Sequence, residues 1–164
     1  MNEIEVREMR PDEAHEVSDL AMRSFDAFVG HEFSEEGVAA YAEYAAADAL
    51  RARQGHDHFT LVARVDGELA GMIELRHGEH LSMLFVDDAF HRRGIGGKLY
   101  DAALERLRHE DPDLEQITVN ASRYGVPAYE RLGFVVSGEE QTVNGITFTP
   151  MTARLATDAG DDET

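Results

Sequence analysis

The spacing of hydrophobic and polar residues changes several times along the chain, and each change predicts a new element. Apolar and polar residues alternate in the predicted strands, whereas apolar residues recur three and four positions apart in the predicted helices. The strands are predicted at 4–7, 59–64, 69–75, 80–86, 116–120, 134–137 and 146–154, and the helices at 11–28, 34–53, 94–109 and 127–132. Strands and helices interleaved in this way predict a mixed sheet with helices on both faces.

Turn signals support these boundaries. Asp66-Gly67 and Asn144-Gly145 are dipeptides that favour tight hairpin turns. With 164 residues the chain fits one domain, which we expect to occupy residues 1–155. The remaining residues, 156–164, are polar and acidic, and we expect them to form a disordered tail.

The composition excludes several classes of partner. The formal net charge is −18, and Lys98 is the single lysine among fifteen basic residues. Such a surface repels nucleic acid and anionic membranes, and it resembles the acidic surfaces of proteins from salt-loving cells. The chain has no cysteine and no apolar run of membrane-spanning length, and its N-terminus is acidic, so a cytoplasmic location is expected. The histidines form no convincing metal set, and no metal is expected.

A glycine-rich segment supplies the main chemical signal. Gly94-Ile95-Gly96-Gly97 follows a predicted strand and opens a predicted helix, where backbone amides and the helix dipole bind phosphate oxygens. A P-loop would require Ser or Thr after Lys98, and Leu99 stands there instead. A dinucleotide fingerprint would require a third glycine at that same position.

The segment resembles the coenzyme A loop of the GNAT-type N-acetyltransferases, whose pattern is Gln/Arg-x-x-Gly-x-Gly/Ala. This chain has His91 at the first position, followed by Arg92-Arg93-Gly94-Ile95-Gly96. A second block, residues 122–134, is similar to the family's Asn-x-x-Ala-x-x-x-Tyr-Glu-Lys-x-Gly-Phe. Tyr129 matches the tyrosine, while Ser122 replaces the Asn and Gly125 the Ala.

The resemblance covers residues 4–155 and implies an α/β (α+β) fold with a mixed, mostly antiparallel sheet of about seven strands and four flanking helices. It implies acetyl-CoA as co-substrate and assigns cofactor contacts to the residues of the loop, the preceding strand and the following strand. These are Leu84, Phe85 and Val86 through their backbone, then His91, Arg92, Arg93, Gly94, Ile95, Gly96, Gly97 and Lys98, then Asn120 and Ser122.

The resemblance also implies the catalytic groups. Tyr129 is expected to protonate the leaving thiolate. His80 falls where several family members keep a base, and histidine is a side chain well suited to accept a proton near neutral pH. Strand alternation predicts that His80, Ser82 and Leu84 share one face. Glu74, Glu79 or an ordered water remain alternatives as the base.

The function implied is transfer of an acetyl group to a primary amine of a small molecule or peptide through a ternary complex. Transfer of a longer acyl group stays open, as does a catalytically weak acyl-CoA-binding regulatory module. A homodimer stays open as the assembly state. The sequence does not identify the amine.

Overall fold

The computed structural model describes residues 3–76 and 78–155. Within them, the chain forms eight strands and five helices. The strands are β1 (Ile4–Glu8), β2 (His58–Val65), β3 (Glu68–Arg76), β4 (His80–Val86), β5 (Gln116–Ala121), β6 (Val135–Val136), β7 (Gln141–Val143) and β8 (Ile146–Arg154). The helices are α1 (Ala14–Phe28), α2 (Glu35–Tyr44), α3 (Ala47–Arg53), α4 (Ile95–Glu110) and α5 (Val126–Arg131). The acidic tail predicted at 156–164 lies outside the described residues.

The predicted mixed, mostly antiparallel sheet is confirmed, with the strand order β1-β2-β3-β4-β5-β8-β6 and β7 paired to β8. The sequence prediction of seven strands and four helices was low by one each. It missed β7, which has three exposed residues, and it joined α2 and α3 into one helix. The break falls at Ala45–Ala46, where alanine gives no signal for a helix end.

Helices cover both faces of the sheet. Leu99, Ala103 and Leu107 of α4 pack with Ile73 and other apolar residues on one face. Residues of α1 and α3 form a second core on the opposite face, which includes Leu20, Leu50, Val62, Met72 and Met83. Successive side chains of β2 and β3 point to opposite faces, so these two strands contribute residues to both hydrophobic cores.

Two contacts hold the β7–β8 hairpin against the first turn of α2. The β7–β8 hairpin turns at Asn144-Gly145, both with positive φ, and Gly145 C=O accepts a hydrogen bond of 3.0 Å from Ser34 N–H. A Cβ on Gly37 would collide with Gly145 C=O, so the glycine allows the hairpin tip to lie directly on the first turn of α2.

Among the described residues, no helix has the length and apolar character needed to cross a membrane.

Candidate functional site

The two central strands of the sheet separate and open a gap between them. β4 and β5 run parallel and pair only at His80–Thr118 and Leu81–Val119. Beyond Leu81 the two strands diverge, and a cavity of about 1200 Å³ occupies the gap. Its walls come from β4, the start of α4 and α5 on one side, and from α1, α2 and the β7–β8 hairpin on the other.

The diverging half of β4 presents backbone groups to this gap. Asp87 N–H donates to Ala70 C=O on β3 at 2.8 Å. In an antiparallel ladder, alternate residues direct their N–H and C=O groups to opposite sides. Phe85 therefore bonds to β3, whereas Leu84 and Val86 direct their backbone groups into the gap. Of the three residues predicted to contact the cofactor through their backbone, Leu84 and Val86 have the required orientation.

The loop after β4 ends in a helix start that has no side-chain cap. Arg92 and Gly94 adopt positive φ angles of 68° and 74°, which turn the chain sharply into α4. Lys98 N–H bonds to Gly94 C=O, and no side chain caps the amides before it. Gly96 and Gly97 belong to this first turn and border the cavity. Uncapped amides at the positive end of a 16-residue helix are able to bind an anion.

The predicted loop residues divide into two groups. His91, Arg92, Gly94, Ile95, Gly96 and Gly97 all line the cavity. The side chains of Arg93 and Lys98 lie outside its lining; the Arg93 guanidinium lies 5.4 Å from the ring centre of Phe90. The His91 side chain turns back, and its Nε2–H donates to Val86 C=O at 2.8 Å. His91 thus stabilises the loop itself and leaves the Val86 N–H and the Leu84 groups directed at the gap.

Tyr129 lies on α5 with its ring against the core and borders the cavity. The ring packs edge-on against Phe134 at 5.5 Å between ring centres. Burial raises the pKa of the Tyr129 hydroxyl above its ordinary value, so this hydroxyl keeps its proton throughout the neutral range. Burial, and then the nearby Tyr129, raise the pKa of Tyr41 in the same way.

His80 lies at the closed end of the gap, where its Nδ1 is 2.8 Å from Thr118 Oγ1 on β5. The prediction that His80 and Leu84 share one face was wrong. Glu74 pairs with Met83 and Leu75 pairs with Leu81, so Ser82 is an extra residue that forms a bulge. The bulge reverses the alternation, and Leu84 packs toward the α4 core.

The two alternative bases have different environments. Glu79 is exposed and lies outside the cavity lining. Glu74 is fully buried and accepts hydrogen bonds from Tyr44 at 2.7 Å, Ser82 at 2.7 Å and Arg53 at 2.7 Å. Its carboxylate is thus fully engaged behind the cavity wall.

Asn120 and Ser122 follow one another near the end of β5 and both line the cavity. Asn120 pairs with Pro150 of β8, and its side chain is exposed. The Ser122 hydroxyl accepts a hydrogen bond of 3.0 Å from Gly125 N–H, within the turn that leads into α5. This serine therefore positions the helix that carries Tyr129.

The individual side chains of the opposite wall of the cavity were not predicted from the sequence. This wall is rich in aromatic side chains and includes one cation at the end of β3. These residues are Phe28, Phe33, Tyr41, Tyr44, Tyr124, Phe148 and Arg76. Tyr41 and Tyr44 are three positions apart in a helix and so share a face, which was the one available signal.

This geometry agrees with the comparisons to known proteins. The profile of the acetyltransferase (GNAT) domain matches residues 29–155. The chain therefore belongs to the GNAT acetyltransferase family and is an acyltransferase. It is 27% identical over 151 residues to the uncharacterized N-acetyltransferase YafP of Escherichia coli (strain K12). The aligned residues make up 91% of this chain and 93% of that protein.

Solved structures share the fold. A GCN5-related N-acetyltransferase from Rhodopseudomonas palustris is 26% identical, with a TM-score of 0.77 over 92% of this chain and 95% of that one. The PaiA N-acetyltransferase of Thermoplasma acidophilum, solved in complex with coenzyme A, is 19% identical. Its TM-score is 0.79 over 93% of this chain and 99% of that one.

Proposed function

We propose that this protein transfers an acetyl group from acetyl-CoA directly to a primary amine within a ternary complex. One observation carries the proposal: a single cavity joins the uncapped start of α4, the backbone groups of β4, the Tyr129 hydroxyl and the aromatic wall on the other side. Two substrates can therefore meet inside it. A relative of the same fold has been solved with coenzyme A.

The residues at the start of α4 and along β4 have the chemistry that coenzyme A requires. The amides of Ile95, Gly96 and Gly97 would hold the pyrophosphate, with Arg92 adding a charge-assisted bond. A Cβ at Gly97 would meet nothing within 4 Å, so the glycine leaves room for a phosphate group to approach the backbone. The backbone groups of Leu84 and Val86 would pair with the amides of the pantetheine arm, much as an added strand pairs with a sheet edge.

Tyr129 serves as the general acid in this proposal. Its raised pKa keeps the hydroxyl protonated at neutral pH, which is the state that a proton donor requires. Donation to the departing sulfur avoids the release of an unprotonated thiolate into a buried site.

His80 serves as the base, or orders the water that does so. It borders the cavity, and its contact with Thr118 fixes the ring orientation. Glu79 is a weaker candidate because its side chain is exposed outside the cavity lining. Glu74 is a weaker candidate because three donors already engage its carboxylate.

The proposed transfer is balanced. The amine nitrogen forms a bond to the acetyl carbonyl carbon, and the bond from that carbon to sulfur breaks. The neutral amine loses one proton to His80 or water, and the sulfur gains one from Tyr129. Exchange with solvent then returns a proton to Tyr129 and removes the one held by the base. The chain contains no cysteine, so a thioester on the protein is not available as an intermediate. This favours direct transfer over a two-stage reaction.

Thiol release from acetyl-CoA, measured over a panel of amines, tests the proposal. We expect amine-dependent release of one thiol for each acetylated amine, detected by mass spectrometry. The same panel with propionyl- and butyryl-CoA tests the longer-acyl alternative. Tight acetyl-CoA binding without turnover of any amine would contradict the enzymatic proposal and favour the regulatory module.

A further inference from the structure

The charge of the cavity differs from that of the molecule. The chain has thirty-three acidic residues, yet within the described residues no carboxylate lines the cavity. The lining includes the cations Arg76, Arg92 and Arg131. A cationic polyamine would therefore meet positive rather than negative groups in this cavity, despite the acidic surface outside it.

Two carboxylates next to the cavity wall are already paired with arginines. Glu74 lies behind the wall, where the Arg53 guanidinium neutralises it with hydrogen bonds of 2.7 and 3.2 Å. Asp87, at the end of β4, pairs with Arg23 at 2.7 Å. Neither carboxylate is available to bind a substrate ammonium group.

Arg76 is the cation at the acceptor end. It closes β3 and lies directly opposite His80 in the β3–β4 ladder. Arg92 lies in the loop at the far end of β4, about 20 Å away along the strand. Within the described part of the chain, the Arg76 side chain makes no hydrogen bond or ion pair, so its guanidinium is available to an anion.

The rest of the wall opposite β4 is rich in aromatic rings. Phe28 and Tyr124 stack with their ring centres 4.7 Å apart, and Tyr41 stacks on Phe25 at 4.3 Å. Phe148 borders the same space from β8. Such rings favour an apolar substituent on the substrate.

We propose that the acceptor is a free amino acid with an apolar side chain, whose carboxylate binds Arg76 and whose amine faces His80. The inference rests on the proposed function. Directly opposed residues of a ladder have Cβ atoms about 4.5–5.5 Å apart, so the side chains of Arg76 and His80 leave the sheet side by side on the same face. Arginine binds a carboxylate through two parallel hydrogen bonds.

Matched amines test the inference. L-Phenylalanine, L-phenylalaninamide and 2-phenylethylamine differ at the carboxylate, and spermidine serves as the polyamine. We expect kcat/KM for phenylalanine to exceed the others by about 10- to 100-fold, the effect of hydrogen bonds to a charged group. Arg76→Gln should remove that preference and leave the KM for acetyl-CoA unchanged. Arg154→Gln removes the same charge from an exposed position of β8 outside the cavity and should keep the preference.

Equal turnover of 2-phenylethylamine or spermidine, or a preference retained in Arg76→Gln, would overturn the inference while the acetyltransferase activity stands. If no amine is acetylated, the proposed function fails. The carboxylate site at Arg76 is then tested by ligand binding alone. Calorimetry with N-acetyl-L-phenylalanine and N-acetyl-2-phenylethylamine, with and without CoA, should show a tenfold or larger preference that Arg76→Gln removes. Equal affinities would refute the carboxylate site.

Discussion

Replacing Tyr129 by Phe should slow the chemical step without weakening the fold. The Tyr129 hydroxyl borders the cavity and makes no hydrogen bond to the described residues, so its removal breaks no contact inside the protein. The ring keeps its packing on Phe134. We therefore expect the free energy of unfolding to change by no more than about 0.5 kcal/mol.

The loss of turnover should be much larger. A general acid contributes about 10²- to 10⁴-fold, which corresponds to roughly 2.7–5.4 kcal/mol of transition-state stabilisation. Because the pKa of Tyr129 is raised above its ordinary value of 10, the wild-type rate should show no loss of the acid form up to about pH 9. The affinity for acetyl-CoA should change little, since the hydroxyl acts only in the transition state.

Single-turnover thiol release is the appropriate assay, because it reports chemistry rather than product release. Tyr100→Phe is the matched control: Tyr100 is buried, contacts the same Phe134 at 5.6 Å, and lies outside the cavity lining. The Tyr100→Phe variant should keep the full wild-type rate of thiol release. A full rate in Tyr129→Phe, or an equal loss in Tyr100→Phe, would show that these rings only pack.

Three further predictions follow from the site and the surface. Gly96→Glu should abolish acetyl-CoA binding in calorimetry with the fold intact, because a Cβ there meets only Val86 Cγ2 at 3.8 Å; unchanged affinity would refute the anion site. His80→Ala should lose turnover most near neutral pH and recover partly as pH rises, whereas Glu79→Ala should match the parent; the opposite pH–rate profiles would assign the base to Glu79. The melting temperature should rise from low to molar KCl because salt screens the net charge of −18, and a flat or falling value would contradict this.

The sequence predicted most of the fold because its local signals agree. The 80–86 strand matches the observed β4, and both hairpin dipeptides adopt the positive φ angles that such turns require. The loop glycines were also predicted correctly as the start of a helix, because a strand, glycines and helical spacing follow one another there. The family suggested by the two motifs is confirmed by the domain match.

The remainder depended on tertiary contacts that a local pattern does not encode. The bulge at Ser82 arises from its pairing with β3, so the face of each β4 residue could not be read from alternation alone. The acceptor wall combines α1, α2, β3 and β8, which are distant in sequence. Arg76 was therefore missed, because its significance comes from lying opposite His80 with no partner in the described part of the chain.

A crystal structure of the protein with coenzyme A tests the central claim most directly. The account predicts pyrophosphate oxygens within hydrogen-bond distance of the Ile95, Gly96 and Gly97 amides, and the pantetheine arm in the gap beside Leu84. It also predicts the sulfur within hydrogen-bond reach of the Tyr129 hydroxyl. A pyrophosphate bound away from the start of α4, or a sulfur beyond the reach of Tyr129, would contradict it.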